Sequence, residues 1–290
     1  MFSGSIAALI TPFTDNAVDE SALARLVRFH IDNGTHGLVA AGTTGEAPTL
    51  SRQEHERVID VVVYEAGGQL PVIAGAGSNN PVEAIELTRY AIRAGATATL
   101  HALGYYNRPG QAGILAHFRA LSDATEGPIL VYNIPPRAII DITPETMAQL
   151  AELPDIVGVK DATSDLSRPL RERALAGEDF CLLSGEDITA VAYNANGGQG
   201  CISVTANLAP ALCAQMQTAC AAGNYAVALE IQHRLLPLHQ ALFAEPSPAG
   251  VKYAASLMGL SRPDCRLPMV PLTRTTQRQV QNAMADLGLI

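Results

Sequence analysis

The chain has 290 residues, 48% of them hydrophobic and 16% charged, with no tryptophan, enough for one large domain or two ordinary ones around a sizeable core. Its net charge of −9 argues against a general nucleic-acid surface and against docking on anionic membranes, while leaving room for small anionic substrates in a locally basic site. Cys181, Cys201, Cys213, Cys220 and Cys265 show no C-x-x-C spacing, so neither a metal site nor a disulfide framework is expected, and the compartment is expected to be reducing. In chain order, "MFSGSIAALITPF" lacks a basic n-region and a small-residue cleavage site; residues 5–13 therefore read as a first strand and not as an export signal. Further apolar runs follow at 36–42, 70–77, 96–104, 128–135, 155–163, 180–186 and 198–206. They are continuous where one-sided strands would alternate, as a parallel sheet buried on both faces requires. None is long enough to cross a bilayer.

Helical patterns separate the runs. Ser51 and Asn80 each stand three residues before a glutamate, the capping-box spacing, and Pro81 and Pro144 occupy first helical positions. Gly34 and Gly95 supply stops. Eight strand–helix units predict an α/β fold, a (β/α)8 TIM barrel over residues 1–223. A doubly wound sheet is the rival, but no G-x-G-x-x-G follows the first strand. Residues 224–290 read as helices only, a C-terminal helical extension packed on the barrel with no low-complexity linker between them.

The sixth run, "DIVGVKDAT", carries Lys160 near its C-terminal end, where such barrels place their chemistry. Alternation turns Gly158 and Lys160 inward and Val157 and Val159 toward the helices. Two readings of Lys160 stand open: an ammonium that snorkels to water, or a poorly solvated amine that serves as a nucleophile. Polar residues gather at the other strand ends, in "GTTGE" (42–46), "GYYNRPG" (104–110), "VYNIPPR" (131–137), "LLSGED" (182–187) and "ISVTAN" (202–207). Singly, these are a turn, a pair of packing tyrosines or a proline-stiffened loop. Together on one rim they supply the hydroxyls that move protons around a carbinolamine, and Arg137 supplies a bidentate partner for a carboxylate.

On "GTTGEAPTLS", "YYNRPGQAG", "VYNIPPR", "VGVKDAT" and "LLSGED", and over essentially its whole length, the chain resembles the dihydrodipicolinate synthase family, within the N-acetylneuraminate lyase-like group of class I aldolases. The resemblance implies that Lys160 forms a Schiff base with pyruvate, with no metal and no organic cofactor. It implies that Tyr132 transfers protons, linked through Thr43 to Tyr106, which reaches into a neighbouring subunit's site. Thr43 and Thr44 are implied to bind the pyruvate carboxylate, Arg137 that of L-aspartate 4-semialdehyde, and Gly185 and Ile202 to line the pocket. A homotetramer, a dimer of dimers, is implied, as are lysine and diaminopimelate biosynthesis in the cytoplasm, without nucleic-acid or membrane partners. An allosteric L-lysine site is implied at His55, Asn79, Glu83 and Tyr105, although Ala47 and Arg52 stand where lysine-sensitive relatives carry serine and histidine, and the extra cation predicts weak inhibition or none.

Two other functions compete: a retro-aldol lyase of N-acetylneuraminate or a 2-keto-3-deoxy sugar acid, against which Arg137 argues, and a catalytically silent small-molecule sensor. The fourth run departs most from the family, because "TATLHALGYYN" replaces a valine-rich strand ending in Thr-Pro. Either His101 is a hydrogen-bonded neutral core residue, or the wall of the pocket is reshaped. In the second case Leu103 removes a hydroxyl near the keto acid, Gly104 frees the backbone before the tyrosines, and restoring Thr-Pro raises activity.

Overall fold

The computed structural model describes residues 2–290. Its barrel strands are Gly4–Ala8 (β1), Gly37–Ala40 (β2), Val72–Gly75 (β3), Ala98–Ala102 (β4), Ile129–Asn133 (β5), Ile156–Asp161 (β6), Cys181–Ser184 (β7) and Gly200–Ser203 (β8). Each neighbouring pair is parallel, and β1 bonds to both β2 and β8, which closes the sheet. The fold is the predicted (β/α)8 barrel. Apart from β1, which begins one residue early at Gly4, every strand lies within its predicted run, and each is shorter because the ends of the run leave the sheet for the rim loops. The first run extends past Ala8 into a small antiparallel hairpin, Phe13–Thr14 with Ala17–Val18.

The outer helices are Glu20–Asp32 (α1), Arg52–Ala66 (α2), Pro81–Ala94 (α3), Gln111–Ala124 (α4), Pro144–Ala151 (α5), Arg168–Ala176 (α6), Ala190–Ala195 (α7) and Pro210–Ala221 (α8). Ser51 forms both halves of its capping box. Asn80 does not: its side chain accepts from Val82 N, while its own N–H goes to the nearby Ser78 hydroxyl. Glu83, the expected box partner, instead accepts from Ser78 Oγ at 2.5 Å. Three helices follow, Tyr225–Leu242 (α9), Ala249–Leu257 (α10) and Arg274–Asp286 (α11). Ile231, Leu235, Val251 and Val280 from these helices share one apolar cluster with Leu23 and Leu26 of α1. No helix among the described residues is long and apolar enough to cross a membrane.

Inside the barrel Ile6, Val39, Ile73, Leu100, Leu130 and Ile202 pack as a separate cluster. Val157 joins that interior cluster, against the expectation that it faces the helices, whereas Val159 does pack outward. The reason is a register shift between Ile129 and Leu130, which breaks simple alternation at the start of β6. Beyond the shift, Gly158 pairs with Leu130 and Lys160 with Tyr132.

Candidate active site

Because β5 and β6 are parallel neighbours in register, Tyr132 and Lys160 emerge side by side. Lys160 is only 6% exposed, and its Nζ lies 4.1 Å from the centroid of the Tyr132 ring. A lysine that escaped to bulk water would be exposed at its head. This one stays over an aromatic face and lines a cavity of about 620 Å³. Thr43, Thr44, Tyr105, Tyr132 and Arg137 line the same cavity. The threonines sit on the turn after β2, closed by Glu46 N to Thr43 O at 3.1 Å and Ala47 N to Gly42 O at 3.2 Å. Arg137 projects from a single helical turn, Pro135–Ala138, after β5, and its Nη2 donates to Ser247 O at 3.4 Å.

Four expected site residues lie elsewhere. Gly185 and Ile202 do not line the cavity. Gly185 packs against the lysine stem so closely that a Cβ there would stand 3.0 Å from Lys160 Cε, while Ile202 is buried in the interior cluster. Tyr106 is 95% exposed, so no relay through Tyr106 is completed within one chain. Asn79 donates to Tyr105 O at 3.1 Å and lines a separate cavity of about 300 Å³ beside Gly104 and His117. The other residues of the expected lysine site, His55, Glu83 and Tyr105, share the large cavity with Lys160, as does Arg52. Burial holds the His55 imidazole below its ordinary pKa.

A buried polar cluster behind Lys160 was not anticipated. Asp161, the next residue, accepts from Thr163 N at 2.8 Å, and burial raises its pKa. Arg168, 3% exposed, donates to Asp141 at 2.5 Å and to Ile142 O at 2.6 Å, and lies 3.7 Å from the carboxylate of Glu172. Burial, with the Asp161 charge adding to it, pushes Glu172 up to about 8, so this carboxyl is largely protonated at neutral pH. Through Arg168 the cluster fastens the start of α6 to the segment Asp141–Ile142 that precedes α5. Its only signal in the sequence is the charge density of "RPLRER", which reads equally well as a solvated helix face.

The fourth strand decides between the two readings in favour of the core histidine and against a reshaped pocket wall. His101 points toward the helices, fully buried, with Nε2 at 3.0 Å from Thr99 Oγ1 and 3.3 Å from Thr88 Oγ1 and its ring edge-on to Phe118. It is a hydrogen-bonded core histidine. Leu103 packs with Ile114, Phe118 and Ile140 in the helix-facing core and is absent from the large cavity. Gly104 has φ +85°, outside proline's range, and a Cβ there would meet Ile140 Cδ1 at 2.1 Å. Restoring Thr-Pro at 103–104 is therefore expected to lower stability by about 2–4 kcal/mol, from the lost leucine volume and the buried hydroxyl, with no gain in turnover. A faster enzyme would overturn that placement.

Burial holds His101 neutral in the folded protein, with its pKa lowered from 6.5 to about 3. The unfolded chain takes up a proton as pH falls through 6.5, so stability declines from there toward pH 3 by about 1.4 kcal/mol per unit. Urea unfolding at pH 6.5 and 5 should show the wild type losing about 2 kcal/mol more than His101→Val, and equal losses would argue against a neutral buried imidazole.

The fold and site together define a (β/α)8 barrel with a buried amine at the end of its sixth strand. Comparison with known proteins narrows the class. The dihydrodipicolinate synthetase family model matches residues 1–287, and the chain belongs to that family. It is 58% identical to the 4-hydroxy-tetrahydrodipicolinate synthase of Parvibaculum lavamentivorans, over the full length of both chains. Its structure superimposes with a TM-score of 0.98 on the chloride-inhibited dihydrodipicolinate synthase of Acinetobacter baumannii complexed with pyruvate, at 40% identity and full coverage of both. The Cyanidioschyzon merolae enzyme with lysine bound superimposes with a TM-score of 0.96 at 37% identity, covering 100% of this chain and 99% of that one.

Proposed function

We propose that Lys160 holds pyruvate as an imine in the large cavity and that the derived enamine attacks the aldehyde of L-aspartate 4-semialdehyde. The chain is a lyase that condenses pyruvate in lysine and diaminopimelate biosynthesis. One observation carries the residue-level reading: the buried Lys160 amine, 4.1 Å over the Tyr132 ring, in one cavity with Thr43, Thr44 and Arg137. The amine adds to the keto carbon, and water leaves. A methyl proton is then removed to give the enamine, whose carbon bonds to the aldehyde carbon. The semialdehyde's amino group finally attacks the imine carbon and releases Lys160 and the cyclic 4-hydroxy product, with one water lost overall. This chemistry needs no metal or organic cofactor.

Tyr132 shuttles the protons, assisted by Thr43 and by Tyr106 of a neighbouring copy; the exposure of Tyr106 in the single chain supports that reading. Thr43 and Thr44 hold the pyruvate carboxylate, and Arg137 holds that of the semialdehyde. Gly185 supports the lysine stem, and Ile202 acts from the interior cluster and not from the cavity wall. Residues 1–223 act as the catalytic barrel and 224–290 as its packed extension, in a cytoplasmic homotetramer of 222 symmetry; a fully active monomer in analytical ultracentrifugation would contradict the assembly. L-Lysine binds weakly or not at all near His55, Asn79, Glu83 and Tyr105. Arg52 stands by as an added cation, although it is shared between Glu56 at 2.5 Å and Glu86 at 3.4 Å, and strong inhibition at low lysine would overturn this.

A turnover assay tests the substrate. Pyruvate with the semialdehyde should give the cyclic product, and N-acetylneuraminate should not be cleaved. Arg137→Ala should lower kcat/KM for the semialdehyde about 10- to 150-fold with the pyruvate KM unchanged, the loss of a charge-assisted hydrogen bond. Cleavage of the sugar acid, or an indifferent Arg137, would favour the retro-aldol reading.

A further inference from the structure

We propose that the buried ion pair between Glu46 and Lys252 positions the Thr43–Thr44 turn and so sets the affinity for the pyruvate carboxylate; the inference rests on the reading of that turn as the carboxylate site. Glu46 ends the turn in a left-handed conformation, φ +58°, that a non-glycine residue keeps only when its surroundings over-determine it. The surroundings here are specific. Oε1 accepts from Lys252 Nζ at 2.7 Å, and Oε2 accepts from the Arg266 backbone N at 2.8 Å. The side chains of the pair are 0% and 2% exposed for Lys252 and Glu46. Lys252 also lies 4.0 Å from the Phe13 ring centroid, in the hairpin that follows β1.

Thus the turn is held from three directions: by its own Glu46 N–H on Thr43 O, by α10 through Lys252, and by the segment before α11 through Arg266. On its inner side, Thr11 Oγ1 donates to Gly45 O at 2.7 Å. A buried ion pair is a poor source of net stability, because desolvation offsets the attraction, and well-packed neutral replacements are often tolerated. What the pair supplies is direction. It fixes the carboxylate of Glu46 and, along the backbone through Gly45, the peptide groups that follow Thr43 and Thr44. Glu46 and Lys252 are absent from the wall of the large cavity while Thr43 and Thr44 form part of it, so the pair acts through the turn and not on the substrate.

The test compares Glu46→Gln/Lys252→Met, which removes both charges at similar volume, with Thr44→Val and the wild type. In the double variant the pyruvate KM should rise about tenfold while the semialdehyde KM stays within about twofold, a split that general loss of folded enzyme would not produce. Glu46→Asp keeps both charges and draws the carboxylate back by one methylene, and it serves if the double variant does not fold; its pyruvate KM should rise about threefold. Thr44→Val should also raise the pyruvate KM. If Thr44→Val raises it and the folded Glu46 variant does not, the positioning role is overturned while the carboxylate reading stands. If Thr44→Val leaves the pyruvate KM unchanged, the carboxylate reading fails and the proposal with it.

Discussion

Replacing Lys160 by alanine is expected to lower turnover by about 10⁴- to 10⁶-fold, the scale on which an essential nucleophile is lost. It should also abolish fixation of pyruvate by borohydride. In the wild type, hydride delivered to the imine carbon converts the reversible adduct to a stable secondary amine, and peptide mass spectrometry should place one three-carbon acid on Lys160. Lys160→Arg sharpens the experiment, since a guanidinium keeps a cation over the Tyr132 ring, 4.1 Å away in the wild type, but forms no imine. Both variants should fold, because the lysine faces a cavity and no hydrogen bond of the barrel wall passes through its side chain. Labelling of another lysine in either variant would remove Lys160 from the mechanism. Lys252 is the natural internal control, as an amine that is 0% exposed and already engaged by Glu46.

Tyr132→Phe is expected to cost about 10²- to 10⁴-fold in kcat, the ordinary contribution of a positioned proton donor and acceptor. The substitution leaves the ring beneath Lys160 and removes only the hydroxyl, so packing in the interior cluster is retained. It also separates two steps. Borohydride should still label Lys160 in the phenylalanine variant at high pyruvate, more slowly, because imine formation needs the amine while enamine formation and aldehyde addition need proton movement. Turnover like the wild type's would take Tyr132 out of the scheme. Loss of the Lys160 label would show that the phenol is needed for imine formation as well.

Much of this molecule is determined by local sequence. Eight apolar runs became eight strands because a parallel strand covered by helices outside and by side chains inside has no face left for polar residues. Ser51 built its capping box because every atom of that device lies within four residues. Lys160 stood out locally too, as a cation closing the apolar stretch Ile156–Val159.

Tertiary structure decided what depends on register and on distance along the chain. Val157 turned inward because β6 slips against β5 at Ile129. Leu103 and His101 face the helices because of the inward positions that Ala98, Leu100 and Ala102 take in the closed barrel, a phase that composition does not reveal. Tyr132 and Lys160 are 28 residues apart in the chain and meet only as parallel neighbours. The pair that holds the threonine turn spans 206 residues. Nothing in "GTTGE" or "GVKYA" names the other, because a buried charge finds its partner only when the barrel and the helices after it have packed.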